Sequence, residues 1–83
     1  MPSYLVETFL PRGDEAQRSV GDERARSAAA ELTRLGEPVR FAHSIHVPSD
    51  ETCFFVFEAP SASDAARAAV RAGLEALRVV EAT

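Results

Sequence analysis

Six segments of alternating character limit what this chain can become: a β-prone run, an alanine-rich run, two β-prone runs back to back, a second alanine-rich run and a final β-prone run, all within 83 residues. Ser3 to Leu10 is rich in β-branched and aromatic residues and stops at the turn formers Pro11-Arg12-Gly13-Asp14. A helix is expected from a point between Asp14 and Asp22 to Leu35, with Ala25, Ala28, Ala29, Leu32 and Leu35 along one stripe and Gly36 at its end. Ser19 followed by Asp22 resembles a capping box and offers a later start. Phe41 to Val47 and Thr52 to Ala59 flank Pro48-Ser49-Asp50-Glu51 and read as a hairpin. Pro60-Ser61, with Asp64 three residues after the serine, opens a second helix that turns Ala62, Ala65, Ala66, Ala69 and Val70 inward and closes at Gly73. Leu77 to Ala82 is the last strand.

The order β-α-β-β-α-β predicts one α+β domain over residues 1–83 of the ferredoxin-like, split βαβ kind: a four-stranded antiparallel sheet with two helices on one face. The strands show no clean polar alternation. The hairpin divides by parity into Phe41, His43, Ile45, Phe54, Val56 and Glu58 on one side and Ala42, Ser44, His46, Cys53, Phe55 and Phe57 on the other, and both sets hold large apolar groups. A sheet that meets water on one side normally alternates, so cover is expected on both faces. Two helices cover only one, and a bare apolar patch is unusual on a monomer. A homodimer of the α/β-barrel type follows as an expectation, and a chain this short, which buries only about 60–65% of its unfolded surface, gains from it.

The small residues Ala42 and Ser44 suit close approach of alanine-rich helices, which assigns their set to the helix side. Glu7 beneath the helices would be a buried, unpaired carboxylate, so it is expected on the open face with His43 and Glu58. Two carboxylates and an imidazole can hold a borderline divalent metal, move a proton, or simply hydrogen-bond across a dimer seam, and the residues alone leave these open. His46, of opposite parity, reads as a surface histidine near the turn; Cys53, among aromatics, reads as a buried inert thiol.

Several classes are excluded. All nine cations are arginine, dispersed singly in a chain of net charge −4, which gives no basic stripe for nucleic acid. One cysteine rules out an internal disulfide and a zinc finger, and no glycine-rich phosphate loop is present. No apolar run nears the roughly 20 residues of a membrane span and no leader pattern opens the chain, so a cytoplasmic protein is expected.

Tyr4-Leu5-Val6-Glu7, Leu35-Gly36, His43-Ser44, Cys53 to Glu58-Ala59-Pro60, Arg71-Ala72-Gly73-Leu74 and Arg78-Val79-Val80-Glu81 together resemble, in order and spacing across nearly the whole chain, a small bacterial domain-of-unknown-function family whose characterised member binds nickel. The resemblance implies a ferredoxin-like homodimer that binds or sequesters nickel ions without known catalysis, with Glu7, His43 and Glu58 at its recurrent polar positions and no organic cofactor. Where family members often carry Glu-His in the second helix, this chain has Ala68-Ala69. Dimeric ferredoxin-like domains also resemble small cofactor-independent monooxygenases, isomerases and cyclases. That alternative makes His43 a base, with Glu7 or Glu58 orienting it, beside an apolar pocket lined by Phe9, Phe41, Phe54 and Val56.

Overall fold

The computed structural model describes residues 1–83, and its elements run β1 (Ser3–Phe9), α1 (Ala16–Arg34), β2 (Arg40–Val47), β3 (Thr52–Glu58), α2 (Ala62–Arg71) and β4 (Arg78–Ala82). The strands form one antiparallel sheet in the order β2-β3-β1-β4. This is the ferredoxin-like α+β arrangement expected from the sequence. No helix is long and apolar enough to cross a membrane.

Both helices lie on one face of the sheet, where Tyr4, Val6, Phe41, Cys53, Phe55 and Phe57 meet Ala25, Ala29, Leu32, Ala65, Ala68 and Ala69 in a continuous buried cluster. Alanine on the helices and aromatics on the sheet make a compact interlayer, because small helical side chains let the backbone approach large rings. Phe57 and Val6 have no exposed surface, and burial of a phenylalanine side chain contributes about 1.5–3 kcal/mol. Gly21 shows how close the layers come. A Cβ built on it would stand 2.6 Å from the Phe55 ring.

Helix α1 starts before the Ser19–Asp22 box. Its first turn is held by backbone bonds from Gln17 N–H to the Asp14 carbonyl (2.9 Å) and from Arg18 N–H to the Glu15 carbonyl (3.1 Å), with Ser19 already inside the helix. Leu35 falls just past the last turn and is exposed. In α2 the capping expectation holds: the Asp64 N–H donates to Ser61 Oγ (3.3 Å), and Ser61 Oγ–H donates to the Asp64 carboxylate (2.8 Å). Gly73, at φ +73°, ends that helix in the left-handed region, and the Leu74 N–H returns to the Ala69 carbonyl at 2.9 Å. The inward stripe of α2 differs from the expectation. Ala65, Ala68, Ala69 and Ala72 are buried, whereas Ala62 and Val70 are exposed. Alanine recurs on nearly every side of this helix, so composition leaves its rotation open and packing decides it.

A second correction concerns β2. The ladder to β3 shifts register between Phe41 and His43, a β-bulge at Ala42. Phe41 therefore pairs with Phe57 and turns into the helix-side core, with ring centroids 5.5 Å apart, instead of sharing the open face with His43 and Ile45. Arg26 of α1 lies over the Phe41 ring at 5.4 Å.

Candidate functional site

The face away from the helices has no cover within this chain. Reading across β2-β3-β1-β4, one row is His43, Val56, Leu5 and Val80, and the next is Ile45, Phe54, Glu7 and Arg78. Arg40, Glu58, Ser3 and Ala82 complete the end of the face nearest the start of β1. Its centre is apolar, and Ile45 and Phe9 are exposed by 43% and 60%.

All three sequence candidates stand on this face, as expected, but not as one cluster. His43 is opposite Val56, two residues from Glu58 on the same neighbouring strand, so the pair are diagonal neighbours about 7–8 Å apart. Glu7 pairs with Phe54 on the far side of β3 and lies roughly 12 Å from His43 and roughly 14 Å from Glu58. No group of three metal-capable side chains gathers on one ion within the chain. Each carboxylate is instead met by an arginine: Arg40 Nε donates to Glu58 and Arg78 Nε to Glu7, both at 2.8 Å. The Arg40 guanidinium holds the Glu58 carboxyl below its ordinary range. His43 is exposed and takes part in no side-chain hydrogen bond or ion pair.

The pocket anticipated for a proton-transfer site does not assemble around His43. Phe41 is in the core, Phe54 and Val56 lie on the open face, and only Phe9 of that set lines a cavity. Two clefts open on the helix side: a wide, mostly polar one of about 480 Å³ between α1 and the end of α2, and a half-open one of about 300 Å³ bordered by α1, the end of β1, the start of β3 and the segment between α2 and β4. Cys53, Thr8 and Phe55 form the floor of the smaller one; Arg18 and Arg24 of α1 and Glu75 bring charge to its walls. Arg18 is anchored there by donating to Ser44 Oγ and to the Ser44 carbonyl, both at 2.9 Å. Those bonds explain why β2 carries a serine at a buried helix-side position.

Cys53 matches the inert-thiol expectation, since burial pushes the thiol up from its usual range. His46 does not match the surface expectation. It faces the helix side opposite Cys53, is only partly exposed, and its Nε2 is buried without a hydrogen-bond partner. Parity placed it on that face; the packing of α1 over the hairpin, which buries it, leaves no local mark. Comparison of the chain with family models, with curated proteins and with solved structures yields no match.

Proposed function

We propose that this chain works as a homodimer, paired through the open sheet face, that binds a divalent first-row metal ion, with His43 and Glu58 as ligands. The observation that carries this reading is an exposed, unengaged imidazole diagonal to a carboxylate on an uncovered surface whose centre is apolar. Imidazole nitrogen with carboxylate oxygen suits nickel, and suits zinc, copper or cobalt as well. Nickel is the family's metal in the resemblance drawn above. One chain supplies only two donors within reach of a common ion, so a second copy and water must complete the shell, and Glu7 can reach that ion only from the second copy. The Arg40–Glu58 pair is no obstacle, because exposed pairs of this kind are weak and a divalent cation competes with one guanidinium effectively.

Titration calorimetry of tag-free protein with nickel chloride, alongside sedimentation, tests the reading. The expected result is saturable binding by a dimer, weakened about ten-fold or more in His43→Ala and falling on acidification, since both ligand types must be deprotonated. Equal affinity in His43→Ala, or a strictly monomeric protein that binds as tightly, would overturn it.

A further inference from the structure

The smaller helix-side cleft holds unused recognition chemistry, and it does not depend on the metal or on dimerisation. Of the nine arginines, Arg12, Arg18, Arg40, Arg67, Arg71 and Arg78 each meet an oxygen acceptor, and Arg26 rests on a ring. Arg24 and Arg34 do neither, and Arg24 is the one that borders the cleft. It stands on the same side of α1 as Val20 and Gln17, one and two turns back, so a guanidinium fork is presented beside an apolar wall completed by Leu74 and Leu77. Arg18, immobilised by Ser44, adds a second fixed positive charge deeper in. A guanidinium matches a carboxylate through two parallel N–H bonds, and Arg24, exposed at the mouth of the cleft, is free to offer both. Glu75 at the wall, and the Asp22 carboxylate that acts on the Cys53 floor, offset the two guanidinium charges, so the cleft carries no positive excess of the kind a phosphate needs and any anion it holds is a monoanion paired with one arginine.

Size narrows the ligand further. A volume of about 300 Å³ is at the small end of ligand pockets, and at roughly 30 Å³ for each water-sized group it accommodates about ten non-hydrogen atoms. We infer that the cleft between α1, the β1 and β3 ends and the α2–β4 segment binds a small apolar monocarboxylate, of the class of a medium-chain fatty acid. Its chain lies over Val20, Leu74 and Leu77, and its carboxylate lies on Arg24. At the floor, the Thr8 hydroxyl is already satisfied by the Cys53 carbonyl at 2.8 Å and so makes no demand on the ligand.

The test titrates the protein, free of added metal, with sodium octanoate and separately with 1-octanol, following backbone amide shifts by NMR. Octanoate is expected to saturate the amides of Gly21, Gly73 and Leu74, and octanol to bind at least ten-fold more weakly. Arg24→Gln should weaken octanoate about ten-fold, while Arg34→Gln, the other unengaged arginine, should leave it unchanged. Val20→Trp and Leu77→Trp, both at exposed positions, should fill the cleft and abolish binding with dispersed spectra retained. Octanol binding as tightly as octanoate, equal losses in Arg24→Gln and Arg34→Gln, shifts confined to the open sheet face, or no saturation would each overturn the inference.

Discussion

The two faces of this sheet use similar side chains and reach opposite outcomes. Under the helices, Val6, Cys53, Phe55 and Phe57 are almost wholly removed from water, and the two polar groups among them are satisfied: Thr8 bonds to a carbonyl and Ser44 to Arg18. On the other side Leu5, Phe54, Ile45 and Val80 make a comparable apolar surface that remains at least partly exposed, edged by two arginine–carboxylate pairs and one free imidazole. Hydrophobicity of the strands thus does not tell the faces apart. What separates them is the presence of alanine-lined helices able to come close, with Gly21 of α1 set directly against the Phe55 ring.

The comparison can be broken most forcefully at Phe57. Its replacement by alanine should cost about 3–5 kcal/mol by chemical denaturation, because a cavity opens in a packed layer, whereas Phe54→Ala on the open face should cost a small fraction of that when measured in dilute solution. If the two losses were equal at low concentration, the faces would not differ as described. Should Phe54→Ala become costly only at high protein concentration, a second copy covers that face.

Next in size is Gly21→Ala. The helix gains about 1 kcal/mol in propensity, but the methyl would stand within contact distance of the Phe55 ring and force ring or helix to shift, a penalty of about 1–3 kcal/mol. A net loss in midpoint is expected, and a stabilised variant would show that α1 sits higher on the sheet. Chemical reactivity sharpens the contrast at lower energy. Iodoacetamide should leave Cys53 unmodified in the native protein at neutral pH and label it on unfolding, since burial raises the thiol's pKa and closes access.

The smallest effect is expected at Glu58→Gln. With its folded pKa lowered by Arg40, this carboxyl stabilises the native state above the ordinary carboxylate range, and the contribution is lost as pH falls through the lowered value. The difference in thermal midpoint between wild type and variant should therefore be slight at pH 7 and vanish in acid; a difference that grew on acidification would contradict the pairing.

Most of the architecture is legible in the sequence. The order of β-prone and alanine-rich runs, the Ser61–Asp64 cap, the turn at Pro48 and the open-face parity of Glu7, His43 and Glu58 all follow from local chemistry: propensity, capping and two-residue alternation. What was not legible has a common cause. The bulge at Ala42, the rotation of α2, the burial of His46 and the Arg18–Ser44 anchor each depend on groups distant in sequence, 26 residues apart in the last case. Register also set the limits of the site. Parity alone puts the three polar residues on one face, but only the strand order β2-β3-β1-β4 places a whole strand between His43 and Glu7 and makes His43 and Glu58 diagonal neighbours. The sequence by itself determined which elements form and which side of a strand each residue takes, because those are set by neighbours one to four positions away. Distances between residues on different strands, and the cleft beside Arg24, were decided only when long-range pairing and helix docking brought remote segments together.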